Sequence, residues 1–189
     1  MIDTLSAARS DCLERLERAA SDRKSPMHIP VVTTADADAR MMVLRAFERA
    51  TWTLRFHTDA RAPKIDIIKN DPRVGVLCYD PEDKVQLRMR GTARIEHRSA
   101  LADAAWDDSD RYARRCYLGA APGTEVAEPS SGLPDWAEGI KPTEEQLAPV
   151  RDHFAVLLVE VAEVDWYALS HDGHRRALLR PSSGHWLTP

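Results

Sequence analysis

The segment that most constrains the fold is FAVLLVEVAEVDWYAL, residues 154–169. Its first half is apolar at consecutive positions, so an extended chain here would present apolar side chains on both faces. This pattern is typical of a strand in the middle of a sheet, flanked on both sides and covered on both faces. We therefore expect the fold to be organised around a central strand in this segment.

Other segments supply strands joined mostly by short turns. Apolar or alternating patterns predict strands at about residues 28–34, in ARMMVLRAF and TWTLRFHT (joined as a hairpin), in VGVLCYD, in VQLRMRGTARIEH, and in a last hairpin from RRALLR to HWLTP. Helical spacing, caps and Pro positions predict helices over residues 4–20, from Pro63 to Asn70, around 99–117 and near 143–152. Six or seven strands with hairpin connections indicate a mainly β fold, a small antiparallel barrel with peripheral helices.

The chain is expected to form a single domain over residues 1–189. This length suffices for one substantial core and is too short for two. Residues 1–24 would contribute an amphipathic N-terminal helix to that domain. Residues 119–142 are dense in Gly, Pro and Ser, which predicts one long irregular loop.

Composition excludes several classes of protein. A net charge of −4 argues against a general nucleic-acid binder. No apolar run reaches bilayer length and the N-terminus lacks a signal-peptide core, so we expect a cytoplasmic protein with no membrane partner. Three widely separated cysteines suit a reducing compartment. The SHDGH histidines flank an Asp-Gly turn, and no metal site is predicted.

The main functional signal is a local concentration of positive charge. Residues 39–64 carry six cations and two acids in an otherwise acidic chain. Arg40 opens one predicted strand, Thr58 closes its partner, and Pro63-Lys64 begins a helix whose first turn would expose unpaired N–H groups. Such a helix end beside Arg and Lys suits a phosphate dianion. Solvated strand and helix ends would account for the same cations.

Motifs in this region resemble the pyridoxamine 5′-phosphate oxidase family of FMN-binding split barrels. The residues that match in type, order and spacing are Arg-Met-Met-Val-Leu-Arg at 40–45, His57-Thr58, Lys64, Asn70-Asp71-Pro72-Arg73-Val74, and Gln86 five residues before Gly91. The similarity covers about residues 25–97 and resumes more weakly over 154–189. It implies a six-stranded antiparallel split β-barrel that binds FMN at the interface of a homodimer.

The resemblance also implies a set of cofactor-binding positions. These are Arg40, Met41, Met42, Val43, Leu44, Arg45, His57, Thr58, Arg61, Lys64, Gln86, Tyr167 and Arg176. Arg40 and Lys64 would hold the FMN phosphate, and Thr58 would add its hydroxyl. The backbone of residues 41–44 would follow the isoalloxazine ring, to which Gln86 would form a hydrogen bond.

Departures from the family pattern concern the substrate more than the cofactor. The family's usual Ser-Arg-Lys is Ala62-Pro63-Lys64 here, and Arg61 offers an arginine two residues earlier. Arg45 stands where the vitamin B6 oxidases carry a substrate-phosphate lysine, and the two cations are not interchangeable. The ARAPK segment is similar to a Ser-Arg-Ser-Pro-Lys motif in a related branch of FMN-binding proteins. The resemblance therefore favours that branch over the vitamin B6 oxidases themselves.

The leading hypothesis is an FMN-dependent oxidoreductase that acts on an unknown small molecule. No catalytic residue is predicted, since the flavin would supply the redox chemistry. One alternative is a flavin carrier or sensor without turnover. Another is a split barrel that binds haem or a deazaflavin, because fold alone does not select the cargo.

Overall fold

The computed structural model describes residues 2–189. Its strands are β1 (Val31–Thr33), β2 (Ala39–Met41), β3 (Leu44–Glu48), β4 (Thr53–Asp59), β5 (Arg73–Asp80), β6 (Val85–Glu96), β7 (Phe154–Ala168), β8 (Arg175–Arg180) and β9 (Ser183–Leu187). Its helices are α1 (Leu5–Ser21), α2 (Lys64–Asn70), α3 (Ala100–Asp107), α4 (Arg111–Arg114) and α5 (Glu144–Leu147). Helices of 3₁₀ type span Arg115–Leu118, Asp135–Ala137 and Ala148–His153. None of the helices formed by the described residues combines the length and apolarity needed to cross a bilayer.

The strands form one antiparallel sheet that curls into a split barrel. The order is β2-β1-β5-β6-β7-β4-β3, and β8 and β9 continue from β7 as a hairpin. The chain before β1 meets β3 where the Leu44 N–H donates to the His28 carbonyl at 2.9 Å. The expected fold class is confirmed. The described residues form nine strands where the resemblance implied six: seven lie on the main path of the sheet, and the C-terminal hairpin of β8 and β9 extends it from β7.

The central-strand prediction is confirmed by β7. This strand of 15 residues is buried from Phe154 to Val159. It pairs with β6 along its length, with β4 through its first half and with β8 through its second half. Every other part of the sheet is therefore positioned directly or indirectly by β7.

The strand predicted over ARMMVLRAF is broken in the structure. β2 ends at Met41 and β3 begins at Leu44, and the two strands have different partners. β2 pairs with β1 whereas β3 pairs with β4, so the predicted hairpin is formed by β3 and β4 alone. Met42 donates its N–H to the Pro30 carbonyl at 3.0 Å, which satisfies the backbone at the break.

Two predicted helices are also shorter than expected. The helix predicted around 99–117 is interrupted, because the Asp110 carboxylate accepts from the Tyr112 N–H and starts α4 as a separate turn. The helix predicted near 143–152 begins with a capping box between Thr143 and Gln146, and continues as a 3₁₀ helix after Leu147. Local side-chain caps set these boundaries more than the helical spacing does.

Two clusters of buried side chains hold the helices to the sheet. α1 is capped by Thr4 and packs its apolar stripe, including Leu16, against β3 within the main core. A second cluster packs the α3 and α4 region onto the first half of β7, with Trp106, Tyr117 and Phe154 in edge or tilted ring contacts. This second cluster fixes the segment that covers one end of β4.

Gly91 is expected to be indispensable for the pairing of β6 and β7. The register shifts between Arg90 and Gly91, and a Cβ at Gly91 would lie 2.1 Å from the Glu160 carbonyl oxygen. Gly91→Ala should lower the free energy of unfolding by about 3 kcal/mol or more, because backbone must move to remove the clash. Urea denaturation measures this change. Gly139→Ala, whose Cβ meets no atom within 4 Å, should cost only about 1–2 kcal/mol for its positive φ. Equal losses in the two variants would contradict the expectation.

Candidate functional site

An open cavity of about 370 Å³ lies where the β2–β3 break, the end of β4 and the start of α2 meet. We call it the first cavity. Its lining residues are Arg40, Met41, Met42, Val43, Arg45, His57, Thr58, Asp59, Lys64, Ala113, Cys116, Tyr117 and Pro122. The structure thus brings together eight of the residues that the sequence singled out. Arg40 and Arg45 both line the cavity because the intervening strand is broken, whereas an unbroken strand would have pointed them to opposite faces.

Arg40 and Lys64 are two of the three cations that line the first cavity, the third being Arg45. The Arg40 guanidinium donates to the Thr34 hydroxyl at 3.1 Å and pairs with Asp38. Lys64 is the first residue of α2, and burial together with the charge of Arg40 lowers the pKa of its ammonium. An anion bound between Arg40 and Lys64 would offset both the desolvation of the Lys64 ammonium and its repulsion by the Arg40 guanidinium. The alternative of cations directed into bulk water does not describe this pair.

The N-terminus of α2 differs from expectation. The Ile65 N–H donates to the Ala62 carbonyl at 2.9 Å, and the Asp66 N–H donates to the Pro63 carbonyl at 3.2 Å. The prediction of unpaired first-turn N–H groups is therefore wrong for these two residues. Carbonyl groups of the tight turn before α2 accept from these N–H groups. The positive charge at this end of the first cavity therefore comes mainly from side chains.

Several buried polar atoms at the first cavity have no hydrogen-bond partner within residues 2–189. They are Thr58 Oγ1, His57 Nε2 and Arg45 Nε. Thr58 is only 5% exposed, and an unsatisfied buried hydroxyl is unfavourable. Their convergence on one cavity is the pattern expected where a polar ligand completes the hydrogen bonding.

His57 is held neutral by its surroundings. Its ring packs edge-on against Phe154 at 4.9 Å between centroids, and the Ser109 hydroxyl lies 3.5 Å from Nδ1. Burial, followed by the positive charges of Arg45 and Arg55, lowers the pKa of His57 to about 4. At pH 7 the imidazole is therefore uncharged and Nε2 is available for a hydrogen bond.

Two predicted site residues, Leu44 and Arg61, do not line the first cavity. Leu44 is fully buried in the main core. The Arg61 guanidinium donates to the Asp59 carboxylate at 2.7 Å and to the Gly119 carbonyl at 3.1 Å. Arg61 thereby ties the segment after the 3₁₀ helix Arg115–Leu118 to the end of β4.

Three further predicted residues, Gln86, Tyr167 and Arg176, form a row across β6, β7 and β8. Gln86 pairs with Tyr167, which pairs with Arg176. Thr58 pairs with Ala155 near the start of β7, so the row lies at the opposite end of that strand. A rise of about 3.3 Å per residue puts about 40 Å of strand between the two positions. Within one chain the structure does not bring this row to the first cavity.

The covering residues Ala113, Cys116, Tyr117 and Pro122 were not predicted. Tyr117 is buried against Trp106 and Phe154, and burial raises the pKa of the Cys116 thiol, which stays protonated at neutral pH. The helical spacing over residues 99–117 predicts one continuous helix. The structure instead has a turn at Asp110, which places these residues at the first cavity. The Asp110 cap followed by Gly119 was the available sequence signal.

The cations of the first cavity lie in a segment that is similar to a known protein family. Residues 11–97 match the sequence model of the family described as "Pyridoxamine 5′-phosphate oxidase, FMN-binding domain". Over this segment the chain is similar to the pyridoxamine 5′-phosphate oxidase-like family. Arg40, Thr58 and Lys64 all lie within it. A comparison with curated proteins found no match.

Solved structures confirm the split-barrel fold over the full chain. A pyridoxamine 5′-phosphate oxidase-related, FMN-binding protein from Nostoc punctiforme is 24% identical with a TM-score of 0.75, covering 99% of this chain and 100% of its own. PhzG from Burkholderia lata, solved in complex with tetrahydrophenazine-1-carboxylic acid, is 16% identical with a TM-score of 0.72, covering 100% and 99%. General stress protein 26 from Bacillus anthracis is 17% identical with a TM-score of 0.51, covering 89% and 98%.

The environment of His57 predicts a pH dependence of stability. Its pKa is about 4 in the folded protein against an ordinary 6.5, so the unfolded chain binds more protons between these values. The contribution of His57 to stability is therefore complete above pH 6.5 and declines as the pH falls towards 4. His57→Phe should show a shallower decline in urea denaturation at pH 7 and pH 4.5. His171→Phe, at the exposed turn after β7, is the matched control. Identical slopes in wild type and His57→Phe would refute this assignment.

Proposed function

We propose that this protein binds FMN in the first cavity and acts as an FMN-dependent oxidoreductase on a small molecule. One observation carries the proposal. Within the segment that matches the family, the cations Arg40 and Lys64 and the partnerless buried hydroxyl of Thr58 line the first cavity together. This donor set fits a phosphate monoester, which is doubly charged and rich in acceptors.

The chain's own residues divide the binding between phosphate and ring. Lys64 and Arg40 bind the phosphate, and Thr58 donates its hydroxyl to it, each charge-assisted bond contributing about 1.5–3 kcal/mol. The backbone of residues 41–43 would border the ring, and Tyr117 and Pro122, which also line the first cavity, would limit access of water to it. Arg61 acts indirectly by holding the covering segment through Gly119.

FMN supplies two-electron redox chemistry when bound, while the protein orients the reactants. His57 remains neutral at pH 7 and offers Nε2 as a hydrogen-bonding group at the cavity wall. Arg45 is a cation in the same wall without an ion-pair partner among the described residues. Both groups line the first cavity and would be available to a substrate bound there beside the ring.

Uptake of FMN by the purified protein tests the proposal. Wild type should show a flavin absorbance spectrum after gel filtration with FMN, and Lys64→Gln should weaken binding about tenfold or more. Thr58→Val should also weaken binding, yet stabilise the ligand-free protein by about 1 kcal/mol by removing the unsatisfied hydroxyl. Arg49→Gln, on the exposed β3–β4 turn, is the control. A protein that takes up no FMN, or that shows a Soret band instead, would disprove the proposal.

Turnover is tested separately under anaerobic conditions. Bleaching of the bound flavin by an amine, a pyridoxal derivative or a nicotinamide cofactor would support an oxidoreductase. Bound FMN that none of these reduces would favour the carrier or sensor instead.

We further propose that the working unit is a homodimer with the first cavity at its interface. A two-fold partner could bring its own Gln86, Tyr167 and Arg176 to a cavity that they do not reach within one chain. An exposed apolar surface supports such a contact: Met41 is 68% exposed and Leu77 39% exposed. Both pair with Val31, so they lie in one row across β2, β1 and β5. Met41 also lines the first cavity, which places this surface at its edge.

The dimer is tested by Leu77→Asp. A carboxylate in the apolar row should convert the dimer to a monomer, since burying an unpaired charge is strongly unfavourable. It should also weaken FMN binding if the partner completes the site. Light scattering after gel filtration measures the mass. Val126→Asp, at an exposed position in the 119–142 segment, should leave the mass unchanged. A monomeric wild type at micromolar concentration would contradict the dimer.

A further inference from the structure

One face of the sheet carries both the exposed apolar row and a second row, which we call the Gln86 row and which consists of Gln86, Tyr167 and Arg176. The apolar row ends at Leu77, which pairs with Arg88 on β6, and Arg88 pairs with Asp165 on β7. Gln86 precedes Arg88 by two residues, so both side chains lie on one face of β6. A partner that covers the apolar row therefore also faces the Gln86 row and Asp165.

Asp165 is a buried carboxylate that holds two arginines, and it is only 4% exposed. Its Oδ1 accepts from Nε of Arg176 at 3.0 Å, and its Oδ2 accepts from Nη2 of Arg176 at 2.8 Å and from Nη2 of Arg88. Burial by itself would raise the pKa of Asp165, but the hydrogen bonds from Arg176 and Arg88 lower the pKa overall. The carboxylate is therefore ionised at neutral pH, and the cluster keeps an excess of positive charge.

The two parallel hydrogen bonds from Arg176 fix the plane of its guanidinium group. The same group lies 5.8 Å from the centre of the Tyr167 ring, in a cation–π contact. Within residues 2–189, no acceptor engages Nη1 of Arg176. An unrestrained arginine samples many rotamers, and ordering it when a ligand binds is unfavourable. In this structure the arginine is already ordered, and Nη1 is the donor that remains for an acceptor outside the chain.

A second cluster of the same arrangement lies two residues earlier on β7. Glu163 accepts from Nη1 of Arg90 on β6 at 2.7 Å and from Nη2 of Arg180 on β8 at 2.8 Å. Its carboxylate is thus held between arginines of the same two strands that supply the partners of Asp165. Neither Arg90 nor Arg180 belongs to the Gln86 row. Pairing of this kind is therefore a shared feature of the face, whereas contact with the Gln86 row distinguishes Asp165.

We propose that Asp165 is a positioning residue that orients Arg176 towards the first cavity of the partner subunit. This inference rests on the proposed FMN site and homodimer, in which the Gln86 row completes a cavity that it does not reach within its own chain. Asp165 stabilises one orientation of the Arg176 donor before FMN binds, so less conformational entropy is lost on binding. Asp165 lies outside every motif that carries the family resemblance.

FMN titration of Asp165→Asn, with Glu163→Gln as the matched control, measures this role. Asp165→Asn should bind FMN about threefold to tenfold more weakly than wild type, because Arg176 is no longer held by a carboxylate. Glu163→Gln releases Arg90 and Arg180 in the same way and should bind FMN as tightly as wild type. Equal weakening in the two variants would assign Asp165 to the general stability of this face and would overturn the proposal.

Double variants show whether Asp165 acts through Arg176. In an Arg176→Gln background, Asp165→Asn should change the FMN affinity little further, because the group that it positions is already absent. Additive losses of affinity would show that the two residues act independently and would contradict the proposal. If Asp165→Asn does not fold, Asp165→Glu replaces it, since it keeps the charge and moves the carboxylate outward by a methylene group. Asp165→Glu should then weaken FMN binding in the wild-type background and not in the Arg176→Gln background.

Mixed dimers show whether the contribution crosses the interface. Subunits carrying Lys64→Gln or Asp165→Asn receive different affinity tags, are co-expressed, and the mixed dimer is isolated on successive columns. If Asp165 serves the partner's cavity, the cavity of the Asp165→Asn subunit has Lys64 and faces a wild-type Asp165, so it should bind FMN as tightly as wild type. The control mixes Lys64→Gln with Thr58→Val, which leaves a defect in each cavity. A mixed dimer without a wild-type cavity would refute the role of Asp165.

Failure of this inference is separable from failure of the proposed function. Equal FMN affinity in wild type and Asp165→Asn leaves the FMN site intact and overturns only the role of Asp165. A monomeric wild type that binds FMN likewise overturns the contribution of Asp165 to a partner's cavity. A wild type that takes up no FMN overturns both the proposed function and this inference.

Discussion

The pairing of β7 on both edges is the interaction on which the rest of the structure depends. Its first half is buried on both faces and pairs with β4, which carries His57 and Thr58. Its second half pairs with β8, which carries Arg176. Backbone hydrogen bonding in a buried strand cannot shift register without exposing apolar side chains, so these two ends are fixed relative to each other. The separation of the phosphate-binding residues from the Gln86 row follows directly from this strand.

The break between β2 and β3 places residues that are close in sequence along one wall of the first cavity. Because Met42 and Val43 pass from one pairing partner to another, Arg40 and Arg45 border the same cavity. The electrostatic character of this cavity follows from its arginines and Lys64 being held there with few acids to compensate them. Most cations elsewhere in this protein are paired, for example Arg15 with Asp80 and Arg176 with Asp165. Arg45, Arg55 and Lys64, which have no ion pair among the described residues, line cavities beside β3 and β4, whereas Lys24 and Lys84 are unpaired elsewhere.

Much of the fold was predictable because its signals are local. The double-sided apolar run of β7, the alternation in β6 and the final hairpin each depend on spacing within one segment. The family-matching motif also indicated Arg40, Thr58 and Lys64 as cavity residues. The helix predicted around 99–117 is interrupted at Asp110, because the Asp110 side chain caps a new helix there. The prediction of unpaired N–H groups at the start of α2 was wrong for Ile65 and Asp66, because carbonyl groups of the preceding turn accept their hydrogen bonds.

The sequence by itself determined the fold class, the central strand and the residue types available to bind a phosphate. These properties follow from periodicity and composition, which depend on residues that are close together in the sequence. Only the tertiary structure decided that Arg45 and Arg55 line one cavity without partners, that Arg61 holds a loop and does not line the first cavity, and that Tyr167 lies at the far end of β7. The reason is that long-range pairing and packing select which side chains meet, and they do so through contacts between segments far apart in the chain.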